Sequence, residues 1–225
     1  MKKFILIILA SVLLSLNFSC QSPSNKKGDD VADGMELIVE PGEHWQGKMK
    51  VLFFYVKKTP QMAAWVEDDN GHYIATITVT NRSAQKKWRS APKEGRPESL
   101  PVWNHRQQNS QALNDIDTVS TATPKASIEA RIDKGLFVEG NTYHVYLEIN
   151  HSFDYNDYWT KDNSGVNGQP SLIYYTQFIA GQPANIFLVP MGHGSVDGSN
   201  GDITSGLESF TTALSIVHNA SIVIK

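Results

Sequence analysis

From residue 35 onward the chain repeatedly alternates between apolar and polar or β-branched positions. Tyr73, Ala75, Ile77 and Val79 alternate with Ile74, Thr76, Thr78 and Thr80. Ile128, Ala130 and Ile132 alternate with Glu129, Arg131 and Asp133. Tyr143, Val145, Leu147 and Ile149 alternate with Thr142, His144, Tyr146 and Glu148. Successive side chains of a strand point to opposite faces, so each segment reads as a strand with one face on a core and one in water. Residues 51–56, Val-Leu-Phe-Phe-Tyr-Val, are apolar throughout and read as a strand buried on both faces. Residues 172–179, 184–189 and 213–224 also read as strands, the last entered by a short helical turn. Asp69-Asn70-Gly71 supplies the positive φ angles of a tight hairpin joining 63–68 to 73–80.

Roughly nine strands with short turns predict an all-β, two-sheet β-sandwich of immunoglobulin or fibronectin type, with a barrel as the competing architecture. Residues 81–124 fit neither plan and read as one long irregular loop. Loops beyond ~15 residues in a compact domain are usually functional or disordered, which draws attention to this one.

The first residues follow a different pattern. Lys2 and Lys3 precede an apolar run over residues 4–16, and Ser19 stands directly before Cys20. The run is shorter than the ~20 residues a spanning helix needs, so residues 1–19 read as a lipoprotein signal peptide and Cys20 as the lipidated residue, although Asn17 and Phe18 depart from the usual lipobox. Residues 20–34 are rich in Ser, Asn, Lys, Gly and Asp and read as a flexible tether, leaving 35–225 as the sandwich domain. Gly28, Asp29 and Asp30 resemble acidic signals that sort some lipoproteins to the cell surface, so the anchor implies the cell envelope, on the periplasmic side or at the surface. Cys20 is the sole cysteine, so stability must come from an ordinary core rather than disulfides. The net charge of -3 and pI near 6.1 argue against nucleic acid as a partner.

Several phrases carry a resemblance when taken in order. They are Ala64-Trp65-Val66-Glu67-Asp68 with Gly71, the run 96–106 ending Trp103-Asn104-His105-Arg106, the stretch 117–125, and Glu148-x-Asn150-x-Ser152-x-Asp154-x-Asn156. Gly168-Gln169-Pro170-Ser171-Leu172, Gly192-His193-Gly194 and Thr211-Thr212-Ala213 complete the set. Together they resemble a bacterial periplasmic family, domain of unknown function 2271. The resemblance implies an exported protein working beside envelope redox systems, in the company of flavin-binding and PepSY-domain proteins. It brings no settled activity.

Within that stretch, Asp117-Thr118-Val119-Ser120-Thr121-Ala122-Thr123 is similar to the signature at which a flavin transferase attaches FMN to the final threonine, here Thr123. The usual glycine is Thr121, a β-branched residue where glycine supplies conformational freedom, which weighs against covalent FMN.

Other residues suggest binding chemistry. Glu148, Asn150, Ser152, Asp154 and Asn156 would share one face at strand spacing, and their oxygens, with Asp154, Asn156 and Asp157 foremost, suit calcium. The alternative is that strand-end Asp and Asn satisfy local backbone groups. Asp197-Gly198-Ser199-Asn200-Gly201-Asp202 lacks the glycine placement of an EF-hand loop and reads as a turn. His105, His151 and His193 fall at strand ends or loops without the spacing of a zinc site. Gly192-His193-Gly194-Ser195 is no nucleophile elbow, and no phosphate-cradling glycine loop precedes a helix. Glu148 and Asp154 have no assigned separation and so no catalytic roles.

Two readings follow. One is a non-enzymatic accessory module of an envelope redox system, carrying a flavin or docking a flavin- or haem-bearing partner through residues 103–106. The other is a surface module for a glycan, peptide or calcium-bridged partner, using Trp103, His105, Arg106, Glu148, Asn150, Trp159 and His193 with Tyr155 and Tyr158. An enzyme is the weakest reading.

Overall fold

A computed structural model describes residues 34–51, 53–86, 95–108, 120–121 and 127–225. Residues 1–33, including Cys20 and the stretches read as a signal peptide and a tether, and Thr123 lie outside the described residues. The strands are β1 (Gly34–Pro41), β2 (Gly47–Val51), β3 (Phe54–Lys58), β4 (Gln61–Asp68), β5 (Tyr73–Thr80), β6 (Ser120–Thr121), β7 (Ile128–Asp133), β8 (Thr142–Asn150), β9 (Leu172–Ile179), β10 (Ala184–Phe187), β11 (Val189–His193) and β12 (Val217–Ile224). Among the described residues the short helices are α1 (Asn81–Gln85), α2 (Pro101–Gln108) and α3 (Lys161–Ser164).

Two sheets pack face to face as an all-β sandwich, without closing into a barrel. One has four strands in the order β10-β12-β1-β7, the other six in the order β11-β9-β8-β4-β5-β6. The alternation selects what lies between them. Met35, Leu37 and Val39 of β1, Ile128 and Ala130 of β7, and Ile222 of β12 meet Met62, Ala64 and Val66 of β4, Val145, Leu147 and Ile149 of β8, and Leu172 of β9. Every one of these is buried, and truncating one such leucine costs about 2–5 kcal/mol. The segment 34–41 was absent from the sequence reading, yet its Met35/Leu37/Val39 alternation places it at the centre of the four-stranded sheet.

Three expectations are corrected. Residues 51–56 are not a doubly buried strand: β2 and β3 form a hairpin that turns there, paired with neither sheet, and Phe53 is 97% exposed. A run of apolar residues has no phase, so it cannot announce a turn at its middle. Residues 184–189 divide between sheets, β10 pairing with β12 and β11 with β9. The stretch 81–124 is not wholly irregular: it contains α1, a 3-10 turn over Pro97–Ser99, α2, and β6, which pairs in parallel with β5. The entry of β12 from a helical turn, Thr212–Ser215, agrees with expectation.

Helix α2 lies on the outer face of the six-stranded sheet. Leu100, Val102 and Trp103 pack there against Ala63, Trp65, Val79 and Ile173, a second apolar layer separate from the inter-sheet core. Pro101 opens the helix with a φ already suited to it.

Candidate functional site

The outer face of the six-stranded sheet gathers groups that the alternation had assigned to water. Cross-strand register sets Trp65 opposite Tyr146 and Glu67 opposite His144 on β4 and β8; on β8 and β9 it sets Tyr146 opposite Tyr175 and His144 opposite Gln177. The rings make a ladder: Trp65 stacks on Tyr146 at 5.2 Å and 13°, Tyr146 meets Tyr175 at 5.3 Å, and Tyr175 stacks on His144 at 5.8 Å and 17°. Trp65 is fully buried, whereas Tyr146, Tyr175 and His144 are half-buried and present part of their rings. Such pairs gain from offset stacking beyond their area.

Polar groups edge the ladder. Glu67, almost fully buried, accepts a hydrogen bond from Trp65 Nε1 at 2.8 Å, and Arg106 of α2 approaches it with Nε at 3.6 Å. His144 contacts Tyr175 Oη through Nδ1 at 2.8 Å and Asp69 through Nε2 at 3.1 Å, while Tyr175 Oη donates to Gln177 at 3.1 Å. Burial, with the Glu67 carboxylate next, pushes the Tyr146 phenol up to about 12, and burial raises Tyr175 as well. Both hydroxyls therefore stay protonated, able to donate, throughout the physiological range.

No protein-family model, curated protein or solved structure matches the chain. The site therefore has to be read from its own groups.

The nominated residues fall into three places. Arg106 joins the ladder. Glu148, Trp103 and Asn150 lie beside it but are buried. Glu148 is completely enclosed, and its carboxylate accepts from Trp103 N at 2.8 Å, Val102 N at 3.2 Å and Ser171 Oγ at 2.6 Å. It thus caps the start of α2, satisfying amides the helix leaves unpaired. Burial drives its pKa up to about 7, against the lowering effect of those three bonds. Trp103 Nε1 donates to Thr76 Oγ1 at 3.3 Å, and Asn150 Nδ2 donates to Gln169 O at 3.2 Å. His105 Nε2 meets Gly198 O at 3.1 Å and so ties α2 to the 197–202 loop, where Asp197 and Asn200 accept from nearby backbone amides, as a turn would have it.

The remaining nominated residues lie elsewhere. The row from Glu148 to Asn156 does not continue as one strand face, because β8 ends at Asn150 and Phe153 adopts a φ of 60°. Asp154 accepts from Thr212 Oγ1 at 2.6 Å and Gln169 Nε2 at 2.9 Å. Asn156 accepts from the amides of Tyr158 and Trp159 and donates to Ser209 O at 2.8 Å; Asp157 is exposed. The Asp154 carboxylate and the Asn156 amide nitrogen fasten the 153–169 loop to residues 209–212, and no group of three or more His, Cys, Asp or Glu among the described residues is placed to hold a metal ion. Trp159 is 9% exposed and packs edge-on against His193 at 5.8 Å, with Phe210 beside both. Tyr155 and Tyr158 are exposed.

A separate cleft of about 370 Å³ lies where the β2–β3 hairpin meets the end of β8, lined among others by His44, Lys58, His151, Phe153 and Asp154. Lys58 Nζ donates to Ser152 O at 2.7 Å and sits 4.1 Å from the Phe153 ring centre; burial, then Arg96, bring its pKa down to about 8. Burial also lowers His151.

Sequence reasoning missed Trp65, Glu67, Tyr146 and Tyr175. The available signal was the composition of the supposed solvent face: His144, Tyr146 and Glu148 are not the lysines and threonines that water alone would select.

Proposed function

We propose that this chain is a non-enzymatic, lipid-anchored envelope protein whose sandwich binds a glycan across the outer face of its six-stranded sheet. The observation that carries the reading is the ladder Trp65–Tyr146–Tyr175–His144, partly open and edged by Glu67, Arg106, Asp69 and Gln177. A sugar ring has an apolar face of C–H groups that lies on aromatic rings and a rim of hydroxyls that seeks charged and amide side chains; this shelf offers both. The rings are held on a rigid sheet, so little ordering cost accompanies binding.

The test is a glycan-array screen of the chain from Gln21 onward, followed by titration of hits into Tyr175→Ala and Tyr146→Ala. Loss of about tenfold or more in either variant supports the shelf. Wild-type affinity in both places binding elsewhere. Calcium, proposed from Asp154, Asn156 and Asp157, is tested in the same titrations: an affinity unchanged by a chelator rules out a calcium-bridged ligand.

The association with an envelope redox system stands on the family resemblance and on the 117–123 signature. Intact mass after periplasmic co-expression with a flavin transferase tests it. An FMN-sized addition absent from Thr123→Ala would make the chain a flavoprotein; an unmodified mass, with a control substrate labelled, removes the covalent flavin.

A further inference from the structure

The hairpin that stands apart from both sheets has the composition of a surface that meets lipid. Its register pairs Lys48 with Lys57 and Lys50 with Tyr55, and Met49 with Val56 and Val51 with Phe54. Positions two apart on a strand share a face, so the exposed side chains of Lys48, Tyr55 and Lys57 lie on one face of the ribbon. Phe53, at the turn, is 97% exposed, and Tyr55 is 66% exposed. Between Gly47 and Val66 the sequence has four lysines and no acidic residue, although the whole chain is net negative at -3. The fourth, Lys58, is already engaged by Ser152 O and the Phe153 ring.

A lone two-stranded hairpin is marginal in water, and this one pairs with neither sheet. An exposed apolar tip with lysines behind it and no carboxylate within the hairpin itself is complementary to one kind of surface, apolar within and anionic at its boundary. We propose that the β2–β3 hairpin docks the domain on an anionic phospholipid bilayer, Phe53 entering the interfacial region and Lys48 and Lys57 engaging lipid phosphates. The dimensions agree. Lys57 lies four residues from Phe53, ~13 Å at the rise of a strand, so a tip buried ~5–10 Å leaves the ammonium groups at headgroup level. The surface is separate from the aromatic shelf and does not depend on what the shelf binds.

The experiment is co-sedimentation of the chain from Gln21 onward, which contains both sheets and carries no lipid, with phosphatidylcholine vesicles made with and without phosphatidylglycerol. Binding to the anionic vesicles is expected to exceed binding to the neutral ones by about twenty-five-fold, taking about fivefold for each of two lysines, and to fall steeply toward ~1 M salt. Phe53→Asp should lose tenfold or more. Lys48→Glu with Lys57→Glu should abolish the preference for anionic vesicles. Phe187→Asp, at an exposed apolar position of the four-stranded sheet, should bind as wild type, with unchanged thermal unfolding showing each variant folded. The proposal is overturned if the wild type does not sediment with the anionic vesicles, if it binds neutral ones equally, or if Phe53→Asp binds as well as wild type. Any of these results would leave a protein partner as the occupant of the hairpin.

Discussion

The two sheets expose outer faces of opposite character. On the four-stranded sheet the outward positions Glu36, Glu129, Arg131 and Asp133 stand in water or at its edge, and Arg131 reaches Glu36 at 2.9 Å while itself 62% exposed. On the six-stranded sheet the corresponding positions hold a second apolar layer, a ring ladder and two buried carboxylates, Glu67 and Glu148. Solvation suffices to explain these charged positions. The second face keeps costly groups out of water, which a protein retains where they hold an element in place or present a ligand surface.

The sharpest way to break this contrast is to remove the carboxylate beneath α2. Glu148→Ala leaves the Val102 and Trp103 amides and the Ser171 hydroxyl without their acceptor and opens a cavity under the helix. We expect a loss of about 3–5 kcal/mol in urea unfolding. A loss below about 1 kcal/mol would mean that α2 does not depend on its cap.

Next in size is a pH effect. Glu148 in the folded state has its pKa raised from 4.5 to about 7. Below the lower value both states are protonated and the contribution is fully present. As pH rises the unfolded chain releases the proton first, so stability declines until the folded carboxyl ionises near 7. The integrated loss is about 3 kcal/mol, and Glu148→Gln should remove that slope. Parallel pH profiles for wild type and variant would show that burial does not govern this carboxyl.

A smaller effect tests the ladder itself. Tyr146→Phe keeps the stacking and loses a hydroxyl, so glycan affinity should fall about threefold to tenfold, less than for Tyr146→Ala, with stability within about 1 kcal/mol of wild type. Equal affinities for the Phe and Ala variants would show that the hydroxyl, not the ring, meets the ligand.

How much of this was legible follows from period and phase. The alternations at 128–133 and 143–149 identified strands and their core faces because burial on one side leaves a period of two; that at 73–80 identified the strand but not its face, because register shifts against β4 turn Tyr73 and Val79 to the outer layer and leave Ala75 and Ile77 on the core. Which sheet a strand joins leaves no local trace, as the division of 184–189 between both sheets shows. Glu148 was noticed because a carboxylate on a strand suggests chemistry. Its partners, 45 and 46 residues away on α2, could not be read from spacing. Arg106 was selected from its motif, and Glu67, Tyr146 and Tyr175 were overlooked because a polar-looking face was equated with a wet one.

The smallest expected effect belongs to the solvated face and completes the comparison. Arg131 donates to Glu36 through Nε at 3.0 Å and Nη2 at 2.9 Å, and Lys225 stands 3.5 Å from the other Glu36 oxygen. The geometry is good, but the arginine is mostly in water, where screening and the entropy of holding two long side chains offset most of the attraction. A double-mutant cycle of Glu36→Ala and Arg131→Ala should give a coupling of about 0.2–1 kcal/mol, shrinking further at ~1 M salt. A salt-insensitive coupling above about 2 kcal/mol would place this pair on the same footing as the buried carboxylates, and the distinction between the two faces would then rest on their rings alone.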